Sequence, residues 1–153
     1  MALTKIGDAG MPAGAVLQVV TGSTATNVSS TSSTYADTGL TAAITPSSSS
    51  SKILVIVNQP GCQKYTNTTV LGLKLFRGST ELVKFESQFG INSNNSYDVN
   101  GGGNGVTHLD SPSTTSATTY KVQFKTDVTA NGAQMIVNRN NAPGCITLME
   151  VSG

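Results

Sequence analysis

Residues 109–124, LDSPSTTSATTYKVQF, pass from a proline- and serine-rich turn into a strand of strict alternation. Tyr120, Val122 and Phe124 fall on one side of it and Lys121, Gln123 and Lys125 on the other. That period of two marks a strand with one buried and one wet face.

Working outward, residues 46–58, PSSSSSKILVIVN, switch from a polar run into a strand. Ile53 to Val57 are all apolar, which predicts burial on both faces, as in a central strand between layers or against another subunit. Residues 71–76 and 81–86 straddle RGST and predict a hairpin. Residues 15–21 and 145–151 read as the first and last strands, and residues 34–45 as a strand broken near Gly39 by a bulge or turn. Residues 24–33 are polar and turn-like, and residues 106–109 form a short strand candidate. Asn131-Gly132 predicts another hairpin turn, leading into residues 134–138.

The expected architecture is all-β, an antiparallel jelly-roll-like β-sandwich of about eight or nine strands. Residues 15–153 make up this domain, and residues 1–14, punctuated by glycine and Pro12, form an extended N-terminal arm. Residues 87–105 contain NSNNSYDVNGGGNG, too polar to bury apolar surface, and are expected to be an exposed loop.

Composition narrows the function classes. At 153 residues the chain is the size of one domain, and only 11% of it is charged, which leaves little material for long amphipathic helices. The net charge is +1 and the basic residues are scattered singly, so no nucleic-acid footprint is expected. The first residues, MALTKIGDAGMPAGAVLQVV, lack the continuous apolar region of a secretory signal, and no run approaches a membrane span. The chain is expected to stay in the compartment of synthesis. Cys62 and Cys145 are expected free and packed; a bond between them would contribute about 4 kcal/mol by loop closure.

Nothing in the chain assembles reactive groups. His108 is the single histidine and has no nucleophile elbow to serve. There is no Cys-x-x-Cys, no histidine pair and no acidic calcium-loop spacing, so neither metal nor cofactor is expected. GGGNG lacks the Lys-Ser/Thr of a phosphate loop. Asp98, Asp110, Glu81 and Glu86 are too few and too dispersed to predict a glycosidase pair. The Asn27, Asn67 and Asn94 triplets match the glycosylation pattern by chance in so Asn/Ser/Thr-rich a chain.

Several strings nonetheless have a family likeness: MALTKIG (1–7), AGAVLQVV (13–20), TSSTYADTGLTAAITPSSSSSKILVIVN (31–58), HLDSPSTTSATTYKVQF (108–124) and ITLMEVSG (146–153). Together they resemble a family of tailed-bacteriophage virion proteins, common in marine and cyanobacterial phages and often labelled tail-fibre or structural proteins. The resemblance spans nearly the whole chain outside residues 59–105. It implies a non-enzymatic β module, made in the host cytoplasm and displayed on the particle exterior as a homotrimer. Relatives often carry a longer shaft before this module, so the short arm here favours a head decoration, or cement, protein over a fibre.

On that reading the arm residues Leu3, Lys5, Ile6, Met11 and Pro12 are expected to contact the major capsid protein or another virion protein. Ile53, Val55, Val57, Leu148 and Val151 are expected at the trimer interface. The alternative is a tail-fibre or appendage module, in which Asn94, Asn95, Tyr97, Asn100 and Asn104 form a loop that binds a host glycan or receptor.

Overall fold

Alternation of inward and outward side chains runs through almost every long strand of the computed structural model, which describes residues 12–65, 69–89, 99–100, 102–127 and 133–153. Among the described residues there are twelve strands. The long ones are β1 (Val16–Thr24), β3 (Ala36–Ile44), β4 (Lys52–Gln59), β6 (Leu71–Arg77), β7 (Thr80–Phe89), β9 (Asn104–Asp110), β10 (Thr118–Thr126) and β12 (Gly144–Val151). Four short ones complete the set: β2 (Val28–Ser30), β5 (Gln63–Tyr65), β8 (Val99–Asn100) and β11 (Gln134–Val137).

The strands form three antiparallel sheets. The first has the order β1-β12-β4-β9, the second β3-β10-β6-β7 and the small third β2-β11-β5-β8. The first two face each other across a common core. Ile53, Val55, Val57, Ile146 and Leu148 come from the first, and Leu40, Leu71, Leu73, Leu75, Tyr120, Val122 and Phe124 from the second. The third sheet adds Met135 and Val137 to the same cluster. Each such side chain contributes about 1.5–3 kcal/mol by burial, so the core outweighs any single polar contact. At the sides of the sandwich β1 runs beside β3, and β9 beside β7.

The all-β sandwich expected from the sequence is the fold observed. Tyr120, Val122 and Phe124 all point into the core. The RGST hairpin joins β6 to β7 through Gly78, whose φ of 57° suits the turn. The break at Gly39 is a bulge: between the pairs Lys121↔Thr41 and Gln123↔Asp37, β3 advances four residues while β10 advances two. Gly39 takes a φ of 83° there, and the Thr38 hydroxyl donates to the carbonyl of Val122 at 3.0 Å.

Three expectations need correction. First, β4 is not sandwiched between layers of its own chain: Ile53, Val55 and Val57 are core, whereas Ile56 is 37% exposed. Second, the turn expected at 131–132 lies outside the described residues, and the strands on either side of it do not pair with each other: β10 pairs with β3 and β6 while β11 pairs with β2 and β5. Third, the 87–105 segment is not all loop: β7 extends to Phe89, and β8 and β9 occupy part of the rest.

At the start of the domain, Pro12 and Ser152 are tied together. The Ser152 hydroxyl donates to the Pro12 carbonyl at 2.7 Å, and Gly14 N–H donates to the Ser152 carbonyl at 3.0 Å. Pro12 is thereby held beside Ser152, next to the end of β12.

Candidate functional site

The two sheets present outer faces of opposite character. On the first, cross-strand pairing sets Val19 opposite Met149, Met149 opposite Leu54 and Leu54 opposite Leu109. This apolar row crosses all four strands, with Val19 54% and Leu109 52% exposed at its ends. The adjacent row is Thr21, Thr147, Ile56 and Thr107, paired in the same way. Lys52 is the one charged side chain that these strands turn outward.

Alternation explains why this face is apolar without being core. On β4 and β12 both parities are hydrophobic, so after Ile53, Val55, Val57, Ile146 and Leu148 fill the interior, Leu54, Ile56 and Met149 are left outside. The residues expected at a trimer interface are corrected accordingly. Ile53, Val55 and Leu148 are 0% exposed and Val57 is 3% exposed, all inside their own chain. Of that group only Val151 has the outward parity, and it is half-buried. Parity was the missing information: a run of five apolar residues does not say which alternate set the core takes.

The second sheet turns charge outward. Lys121 pairs with Asp37 at 3.0 Å, Lys74 with Glu81 and Lys125 with Asp127. The ammonium groups of Lys74 and Lys125 lie 4.5 and 5.5 Å from the Tyr35 ring centroid. Burial, then the charges of Asp127 and Glu81, raise the Tyr35 phenol above its ordinary value. Along the same face, between β10 and the β6–β7 turn, lies a hollow of about 570 Å³ lined by Phe76, Gly78, Ser79, Thr119, Lys121 and Gln123.

Two buried polar clusters are structural in character. Asp110 closes β9 at the sheet end, where Arg77 of β6 and Tyr120 of β10 reach it across the sandwich. Burial raises the Tyr120 phenol far above its usual range, and its bond to Asp110 pushes the same way. Glu150, 0% exposed on β12, accepts bonds from the Ser47 N–H at 2.7 Å and from the Ser47 hydroxyl and Gln18 amide, both at 2.6 Å. Burial pushes its pKa up, but hydrogen bonds from Ser47 and Gln18 outweigh that and leave it lowered. The serine run before β4 thus latches onto the first sheet. Sequence spacing gave no sign of either cluster, because Arg77 lies 33 residues from Asp110 and Ser47 lies 103 from Glu150.

The other expected site residues are dispersed. Leu3, Lys5, Ile6 and Met11 lie outside the described residues, as do Asn94, Asn95 and Tyr97. Pro12 is exposed. Asn100 ends β8, while Asn104 opens β9 opposite Gln59 and is half-buried, so it is a strand residue and not part of an exposed loop. His108 sits mid-strand on β9, opposite Val55. Cys62 and Cys145 are free; burial pushes the Cys62 thiol up to about 11, while Cys145 lies half-buried on the outward parity of β12. Among the described residues no three His, Cys, Asp or Glu side chains group as metal ligands would. No helix among them is long and apolar enough to cross a membrane.

Compared with models of known protein families the chain matches none, and a search among curated proteins likewise gave no match.

Proposed function

We propose that this chain is a non-enzymatic structural module of a tailed-phage virion. It is carried on the particle exterior as a homotrimer, and by preference it is a head decoration protein that binds and stabilises the capsid surface. The observation that carries this reading is the outer face of the first sheet, apolar along its central row and carrying a single charge, Lys52. Four strands spaced about 4.8 Å apart and some eight residues long offer roughly 500 Å² in projection. That is of the same order as the roughly 800 Å² per partner of a standard interface. Leaving Val19, Leu54, Ile56, Leu109 and Met149 in water forgoes burial free energy that a second copy would recover.

Two further points support the reading. The sequence strings resemble virion proteins, and the order of the eight long strands, numbered along the chain, is 1-8-3-6 in one sheet and 2-7-4-5 in the other. We read that order as a jelly roll, a rigid scaffold suited to repeated display. Three copies match the three-fold positions of a shell, so each arm, from Leu3 to Pro12, meets an equivalent patch of the major capsid protein or another virion protein. Binding that favours the assembled state stabilises it by mass action.

Quantifying the protein in purified particles tests the proposal. Hundreds of copies per particle are expected of a decoration protein, and a few to a few dozen would favour the tail-fibre or appendage alternative. Absence from mature particles would overturn both.

A further inference from the structure

We propose that the hollow on the second sheet is a binding site for a neutral sugar ring. It lies between β10 and the β6–β7 turn, and the bulged strand β3 flanks β10 on the other side. Because β3 takes four residues where β10 takes two, Thr38 and Leu40 turn into the core while Asp37, Gly39 and Thr41 remain on the surface. The carbonyls of Val122 and Tyr120 are taken by the hydroxyls of Thr38 and Thr41, each at 3.0 Å, so the irregular ladder stays satisfied. Bulges commonly re-aim side chains in this way beside binding sites.

What they aim here is a prearranged polar set. The Gln123 amide donates to Asp37 Oδ1 at 2.7 Å, and Lys121 Nζ lies 3.0 Å from the same oxygen. Hydrogen bonds from Gln123 and Lys121 outweigh burial and keep the Asp37 carboxyl below its usual value, hence ionised at neutral pH. Across the floor, Phe76 stands opposite Lys121 in the β6–β10 ladder, and the Gly78 N–H donates to the Thr119 carbonyl at 2.8 Å, fixing the rim.

A pyranose has an apolar C–H face and a rim of hydroxyls that both donate and accept. The Phe76 ring suits the first, and Gln123, Thr119 and Ser79 suit the second, with Asp37 bound to Gln123 at the edge of the hollow. Asp37 and Lys121 cancel one another's charge, so an ionic ligand gains no net attraction and a neutral one loses nothing. The hollow, about 570 Å³, falls within the range of small-molecule sites and has room for such a ring. It lies on the sheet opposite the apolar face, so assembly through that face leaves it open. The inference is independent of the virion proposal and stands or falls without it.

The test is an amide NMR titration of the full chain with N-acetylglucosamine, galactose and mannose, and with a sialylated lactose as the acidic comparison. A single ring is expected to bind weakly, with a Kd of about 1–10 mM. At least one neutral sugar should shift the amides of Gly78, Ser79, Thr119, Lys121 and Gln123. Asp37→Asn and Gln123→Ala, both surface changes, should each weaken that binding at least tenfold while leaving the remaining spectrum unchanged. The proposal is overturned if none of the three neutral sugars moves these amides at about 100 mM, some ten times the weakest expected Kd. It is equally overturned if the shifts fall elsewhere, if only the acidic sugar binds, or if both variants bind as the parent does.

Discussion

The phenol of Tyr120 donates to Asp110 Oδ2 at 2.7 Å, and Arg77 Nη1 meets both oxygens of the same carboxylate at 2.9 and 2.8 Å. Tyr120 and Arg77 belong to the second sheet and Asp110 to the end of the first, so these bonds fix how the layers sit on one another. Tyr120→Phe removes one donor to a charged acceptor and should cost about 1.5–3 kcal/mol. Asp110→Ala strands a buried phenol and a guanidinium that is 27% exposed, which places its cost near 3 kcal/mol, the low end for breaking a buried pair. Urea denaturation measures both; the double variant should lose less than the sum, and strict additivity would deny the coupling.

Glu150 predicts acid sensitivity. Its folded pKa lies below the usual 4.5, so the stabilisation is fully present above the unfolded value and is lost as the pH falls through the folded one. Thermal melts of the parent should therefore drop steeply below about pH 4.5, and Glu150→Gln should flatten that part of the curve. Equal acid slopes in the two proteins would show that Ser47 and Gln18 do not hold the charge.

Parity on β4 gives a paired prediction. Leu54→Lys points outward and should abolish self-association while the far-UV circular dichroism and melting of the separated chain persist. Val55→Lys puts an unpaired ammonium into the core at a 0% exposed position and should prevent folding. Analytical ultracentrifugation distinguishes the two; an oligomer unaffected by Leu54→Lys and also by Leu109→Lys would mean that the apolar face is not the interface.

Gly22 marks where β1 passes closest to β3. A Cβ there would meet the Thr41 carbonyl oxygen at 1.9 Å, a backbone contact that no rotamer can relieve. Gly22→Ala should cost about 1–3 kcal/mol by forcing the two sheet edges apart. Gly14→Ala, with nothing within 4 Å of the added carbon, pays only for its left-handed backbone and should cost less. Denaturation midpoints rank the pair, and the reverse order would contradict the close approach.

Thiol accessibility gives a last check. Cys62 is 1% exposed with its pKa pushed up to about 11, so it should not react with a thiol reagent at neutral pH until the protein unfolds. Cys145, on the outward parity of β12, should react in the separated chain and be slowed when copies associate. Rapid modification of both in the folded protein would contradict the burial of Cys62.

Much of the architecture was legible along the chain because alternation is a local property. Tyr120, Val122 and Phe124 declared the inner face of β10, RGST its neighbouring hairpin, and Gly39 the break in β3 that proved to be a bulge. The pairing of β11 was not legible, because a turn dipeptide such as Asn-Gly carries no information on which sheet the next strand joins.

By itself, then, the sequence determined that this is a β protein and where most of its strands begin and end, since those depend on neighbours one or two residues apart. Only the tertiary structure decided which apolar set of β4 and β12 fills the core and which is left on an open face, because both sets are equally hydrophobic. It also decided that Asp110 meets Arg77 and Tyr120, and that Glu150 meets Ser47, since only the packing of one layer on another brings such distant residues within hydrogen-bond reach.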